Sequence, residues 1–189
     1  MVVSTARAEK RMIKQILEFW FELHGPDQWW AKDADFDETI RTKFGALHER
    51  AARAELHHWR ATPEGRLAEI ILLDQFSRNL HRDDARAFAY DGMALVLAQE
   101  AVRAGADQQV PLDRRGFFYM PYQHSESARV HEAAVPLFEA LGDANSLDYE
   151  FQHKAIIDRF GRYPHRNAVL SRPSTPEEIA FLKTEGSSF

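Results

Sequence analysis

Between Leu67 and Arg82 the chain reads as a helix that is apolar almost all the way round yet carries charges within it. At the helical advance of about 100° per residue, Leu67, Ile71, Asp74, Arg78 and Arg82 fall along one strip, bordered by Gln75. Leu72, Leu73, Phe76 and Leu80 cover the opposite half. A helix apolar on every side must be wrapped by other elements, so this stretch belongs at the centre of a fold. Asp74 and Arg78 then enter the interior, where an unpaired charge is very costly and each needs a partner. Their i,i+4 spacing lets them pair with each other. Two outcomes follow: an ion pair that fixes how helices meet, or the floor of a polar pocket at the helix end.

The rest of the chain is also helical in its periodicity, with no strand alternation. A first helix is expected from about Thr5 to Leu23, capped by Ser4 and stopped by His24-Gly25-Pro26. Trp29 and Trp30 then pin a loop to the core or wall a ligand site. Phe36, Ile40, Phe44, Leu47, Ala51 and Ala54 form one stripe of a second long helix, Phe36 to Trp59. Thr62-Pro63-Glu64 is a helix start with Pro at N1, launching the central helix, which ends near His81. An alanine-rich helix follows from Ala85 to Ala104, closed by Gly105. Asp113 to Tyr122 holds too many large aromatics for a surface helix. Ser127 to Leu141, with Pro136 inside, and Ser146 to Phe160 complete the long elements. The latter has Tyr149, His153, Ile156, Ile157 and Phe160 on its stripe, with His153 expected as a core-facing, hydrogen-bonded histidine. Thr175-Pro176-Glu177-Glu178 is a capping box that opens a last short helix. The sum is an all-α chain of about seven or eight helices, joined by links short enough to make neighbours antiparallel. It reads as one domain over residues 1–189, with flexible ends at about 1–4 and 185–189.

Composition narrows the function classes. The net charge of −5 argues against a general nucleic-acid binder or an anionic-membrane binder. There is no cysteine, which removes disulfides, thiol catalysis and thiolate metal sites. The first 15 residues carry Arg7, Lys10, Arg11 and Lys14 without an apolar h-region, so no signal peptide is read there. No stretch approaches the ~20 apolar residues of a spanning helix. A cytoplasmic protein is expected. Phe, Trp and Tyr make up 12% of the chain; this leaves a homo-oligomer open without locating an interface.

Three stretches carry the chemistry: Leu73-Asp74-Gln75-Phe76-Ser77-Arg78-Asn79, Tyr119-Met120-Pro121-Tyr122-Gln123-His124-Ser125-Glu126, and Arg159-Phe160-Gly161-Arg162-Tyr163-Pro164-His165-Arg166-Asn167. With Leu17-Glu18-Phe19-Trp20-Phe21 and the Ser174–Glu178 segment, the chain from about Ile13 onward resembles the bacterial family catalogued as domain of unknown function 924. The resemblance implies an all-α stack of tetratricopeptide-like antiparallel hairpins, and no activity. The 34-residue self-similarity of a true tetratricopeptide array is absent.

The residues themselves suggest three roles. Arg78, Arg82, Arg162 and Arg166 offer fork-shaped donors suited to carboxylate or phosphate. Gln75, Asn79 and Asn167 can fix orientation, Asp74 and Glu126 can hold arginines, and His124 and His165 titrate near neutrality. If the three stretches converge, these residues with Tyr122 line a cationic pocket for an anionic small molecule or a peptide carboxylate. Arg82 and Asn79 would then touch the ligand, and Asp74 would orient its neighbours. A second role is a hydrolase or lyase with His124 or His165 as general acid or base, oriented by Glu126 or Asp74. His124-Ser125-Glu126 is not a triad, since sequence neighbours rarely form a relay, and the spacing of a metal site is lacking; no metal or cofactor is expected. The third role is a closed polar network that only locks helices together. The pairing and exposure of Arg162 and Arg166 separate the pocket from the network.

Overall fold

The computed structural model describes residues 2–188, with side chains described from residue 6 onward. Every regular element among the described residues is helical. The α-helices are α1 (Val2–Phe21), α2 (Pro26–Trp29), α3 (Ala34–Ala52), α4 (Pro63–Ile71), α5 (Ser77–Leu80), α6 (Asp91–Arg103), α7 (Leu112–Gln123), α8 (Ala128–Leu141), α9 (Ala144–Phe160) and α10 (Pro176–Phe181). A π-turn, Leu72–Phe76, joins α4 to α5 without a break. Counting α4 through α5 as one rod leaves seven long helices and two short ones among the described residues, close to the expected number.

The central rod is buried as its sequence demands. Leu67, Ile71, Leu72, Leu73 and Phe76 have no exposed surface. It is started by Thr62, whose hydroxyl accepts from the Gly65 N–H at 3.1 Å. The wrapping elements come from both sides in sequence. α1 packs on α4, α3 packs on the π-turn and α5, and α6 and α7 both lean on α4. From α6 onward each helix packs on its successor, α6 on α7, α7 on α8 and α8 on α9. α8 and α9 are linked by only Gly142 and Asp143, which forces them antiparallel. The aromatic core lies between α1, α3 and the rod, where Trp20 packs against Phe76 at 5.4 Å between ring centroids and Phe19 against Phe44 at 5.0 Å. Trp29 belongs to this core: it stacks on Trp20, and its indole N–H donates to the Trp20 carbonyl at 2.9 Å. Trp30 stacks on Phe117 with more than half its surface in solvent.

Several element boundaries differ from those expected. α1 begins at Val2, so Ser4 lies within it instead of capping it. Of the ends expected to be flexible, Met1 and Phe189 lie outside the described residues. α3 stops at Ala52 because Ala54 takes a left-handed conformation (φ 57°), and a separate 3₁₀ turn, His57–Ala61, carries Trp59. The expected Ala85–Ala104 helix is a 3₁₀ turn, Ala85–Phe88, followed by α6. This division places Asp91 at the first turn of a helix rather than mid-helix. Tyr149 is largely exposed, whereas His131, on α8, is fully buried. The stop expected at Gly105 is in place, and Gly142 and Gly161 close α8 and α9 in the same way, all three with positive φ.

Candidate functional site

Asp74 sits in the π-turn, at a point where one extra residue per turn swings its carboxylate off the line of the α4 ladder. π-turns of this kind occur often at functional sites. The carboxylate is 1% exposed, and both oxygens are occupied. Oδ1 accepts from His124 Nδ1 at 2.7 Å and lies 3.2 Å from Arg78 Nη1; Oδ2 accepts from Gln75 Nε2 at 2.6 Å. Burial alone would raise its pKa, but His124 and Arg78 beside it hold the group well below the usual carboxylate range. Asp74 is therefore ionised at neutral pH, and it fixes the His124 tautomer with the proton on Nδ1. Nε2 of His124 has no hydrogen-bond partner among the described residues, and the side chain keeps 12% of its surface in solvent. Burial, and then Arg78, push the His124 pKa down, with Asp74 opposing them. In the neutral ring, with the proton on Nδ1 toward Asp74, Nε2 is the acceptor nitrogen.

Arg78 leads from this dyad to a second carboxylate. It donates to the Asp74 backbone carbonyl at 2.7 Å and makes a bidentate pair with Asp91, at 3.0 and 3.1 Å. Asp91 also accepts from Arg166 Nη1 at 3.2 Å. Two guanidiniums thus share one carboxylate. Arg166 is 7% exposed and lies between two rings, 4.5 Å from the Phe88 centroid and 4.5 Å from that of Tyr163. Its Nε is buried with no acceptor. Burial, and then the neighbouring Arg78, push its pKa down from the ordinary arginine value. The result is a chain of contacts His124–Asp74–Arg78–Asp91–Arg166, built from the π-turn and helices α5, α6 and α7 together with the loop after α9.

The other expected site residues are committed elsewhere. Arg82 makes a bidentate pair with Asp37 at 2.7 and 2.8 Å, and Asn79 donates to the same Asp37 at 2.8 Å. Helix α5 ends at Leu80, and the chain then turns through Asp83 (φ 59°); the strip shared with Arg78 in a continuous helix does not extend to Arg82. Arg162 pairs with Glu178 at 2.6 and 2.8 Å and also donates to the Pro173 carbonyl at 2.9 Å. Asn167 donates to Ser174 and Glu178 and accepts from Arg172. Glu126 takes a bidentate pair from Arg172, at 2.6 and 2.9 Å, and the Tyr163 N–H at 2.8 Å. This second cluster is closed by pairing, with its arginines about a quarter exposed, and it ties the segment after α9 to α10 and to the α7–α8 link. The Glu178 carboxyl is pushed down to about 2 by Arg162 and by the Thr175 N–H. Tyr122 is buried with its pKa raised to about 12, by burial and by Asp107. His165 tilts against Tyr163 beside the seam, its pKa pushed down to about 4 by burial and by Arg166.

Asp91, Phe88 and Tyr163 hold the seam together; Tyr163 lay within the third stretch, whereas Asp91 and Phe88 carried no signal beyond the requirement that buried arginines have counter-charges. Glu178, read in the sequence as a capping-box residue, also takes Arg162, and Arg172, unassigned in the sequence, takes Glu126. Among the described residues no three His, Asp or Glu side chains converge as a metal site. Two surface clefts lie away from the seam: one of ≈ 380 Å³ along α1 beside Thr62 and Arg114, and one of ≈ 210 Å³ between Glu38 and Lys43. No described helix is long and apolar enough to cross a membrane.

The family described as a bacterial protein of unknown function (DUF924) matches residues 16–186. A solved structure, that of the protein of unknown function ATU0120 from Agrobacterium tumefaciens, is similar with a TM-score of 0.88 and 41% identity. It covers 92% of this chain and 98% of its own. No functionally curated protein matches.

Proposed function

The chain belongs to this bacterial family of unknown function, DUF924, and we propose that its members' central seam binds the anionic group of a small molecule or a peptide carboxylate. The observation that carries this is Arg166. A guanidinium held between Phe88 and Tyr163, with a single hydrogen bond and a buried Nε lacking an acceptor, has donors to spare where water is scarce. Buried donors are almost always satisfied, and a planar carboxylate or phosphate is the acceptor that fits a guanidinium edge. Arg78, turned toward the same Asp91, adds a second positive charge, and aromatic walls flank the pair. The formal charges of Arg78, Arg166, Asp74 and Asp91 cancel, so an arriving anion competes with Asp91 for donors. The affinity expected is modest. The closed cluster around Arg162 and Glu178 serves stability and takes no part in binding.

Isothermal titration with succinate, inorganic phosphate and a free dipeptide tests the proposal. Wild-type protein binds at least one of them. Arg166→Met weakens that binding by about 10- to 100-fold, the range of one charge-assisted hydrogen-bond pair, and Arg162→Met leaves it unchanged. Equal affinity in wild type and Arg166→Met, or absence of binding to all three, would sink it.

A further inference from the structure

From the same seam, and resting on the anion-binding proposal above, we infer that His124 is a general base that activates water to hydrolyse an ester bearing a carboxylate. The geometry has the parts such a base needs. Asp74 fixes the imidazole through Nδ1 at 2.7 Å, and is itself fixed by Gln75 and Arg78. That leaves Nε2 with no hydrogen-bond partner among the described residues, on a side chain that keeps 12% of its surface in solvent. Orientation of one ring nitrogen by a buried carboxylate while the other accepts a proton is the arrangement of a working acid–base histidine. No hydroxyl of the described residues is hydrogen-bonded to Nε2, and the chain contains no thiol, so water is the attacking group. The groups facing His124 are Asp74 and Arg78 on the rod, Asp91 on α6 and His153 on α9. Burial and Arg78 oppose the imidazolium formed during the step, and Asp74, bonded to Nδ1, is the group that supports it.

The reaction balances with water as the only co-reactant. Nε2 takes a proton from water as the oxygen bonds to the ester carbonyl carbon. The imidazolium, held by Asp74, then returns that proton to the departing alkoxide as the C–O bond breaks. An acid and an alcohol leave, and the base is regenerated. The Arg78–Arg166 pair holds the remote carboxylate of the substrate. An ester suits the site better than an amide, because an alkoxide leaves with the help of a single imidazolium.

The test compares hydrolysis of mono-4-nitrophenyl succinate with that of neutral 4-nitrophenyl acetate. Wild type is expected to prefer the succinyl ester. His124→Gln is expected to lose about 10²- to 10⁴-fold in kcat, the range of general-base contributions, while still binding succinate by titration. Asp74 is a positioning residue, so Asp74→Asn lowers kcat and shifts its pH profile. Nitrogen-15 shifts of His124 in the wild-type protein provide a readout independent of any variant's folding: a protonated Nδ1 and bare Nε2 at pH 7 are expected, and a protonated Nε2 overturns the inference. Wild type that binds succinate but cleaves the ester no faster than His124→Gln overturns this step alone. Wild type that binds no succinate, phosphate or dipeptide overturns the binding proposal with it.

Discussion

Asp91 shows how one side chain sets the character of the seam. It neutralises Arg78 by a bidentate pair and Arg166 by a single bond, yet it sits at the start of α6, where the helix dipole also favours its charge. Asp91→Asn removes the charge and keeps the shape, leaving two guanidiniums facing one another in a poorly hydrated place. Breaking a buried ion pair costs about 3–5 kcal/mol; because Asp91 and Arg78 keep about a fifth of their side chains in solvent, about 2–3 kcal/mol is expected. The lost stability is expected to return in part on adding succinate or phosphate, since a ligand that binds only the folded state stabilises it. Urea unfolding of the variant with and without succinate checks both statements. A variant as stable as wild type would mean that the guanidiniums do not depend on Asp91.

At the scale of elements, the central rod is fixed at its N-terminal end by an unusually close approach. A Cβ built on Gly65 would lie 2.0 Å from the Trp59 carbonyl oxygen and 2.8 Å from its carbon. Both are backbone atoms of the preceding 3₁₀ turn, and neither can rotate away. Gly65→Ala therefore separates the turn from α4, disturbing the Thr62 cap and the buried Trp59 together. Overpacking costs typically about 1–3 kcal/mol, and the upper end is expected here. For a chain of this size that is a fall in Tm of about 6–12 °C, measurable by calorimetry. At the other end of the rod, the π-turn spends a regular hydrogen-bond register to aim Asp74 at α7. Arg78 and Arg82 then part company, one toward Asp91 and the other toward Asp37.

At the scale of the whole molecule, three histidines whose pKa values are pushed down, His48, His153 and His165, set the response to acid. His48 is pushed down to about 4, by burial and by His81; its Nε2–H donates to the Ser77 hydroxyl, which in turn donates to the Leu73 carbonyl. His153 is pushed down to about 3 by burial, and His165 to about 4 by burial and Arg166. An unfolded histidine titrates near 6.5. Below that pH the unfolded chain binds protons that the folded chain refuses, so stability falls as pH falls from about 6.5 toward 4. The slope is up to about 1.4 kcal/mol per pH unit for each such histidine. Asp74, with its pKa depressed, adds a further loss only below about pH 4, where the unfolded carboxylate protonates first. Urea midpoints at pH 7, 6 and 5 are expected to fall steadily, and His48→Gln is expected to flatten the fall. Midpoints independent of pH in this window would contradict the neutral burial of these rings.

The all-helical class, the start of the rod at Thr62, the glycine stops and the i,i+4 contact of Asp74 with Arg78 were legible in the sequence, because each rests on local geometry within a turn or two. The involvement of His124 with the first polar stretch could be suspected from its chemistry, but the partner that matters is 50 residues away. Periodicity cannot see the π-turn, since it is read on a fixed 100° advance, nor can it say which carboxylate takes which arginine. That choice was made by packing. The packing of α3 on α5 brings Asp37 to Arg82 and Asn79, which became anchors, and the division before α6 brings Asp91 to Arg78 and Arg166, which came to share one acceptor. Periodicity and composition require a buried rod whose charges must be paired; packing chose which of them are paired in full, because the cost of burying a charge constrains that a partner exists and not where in the chain it comes from.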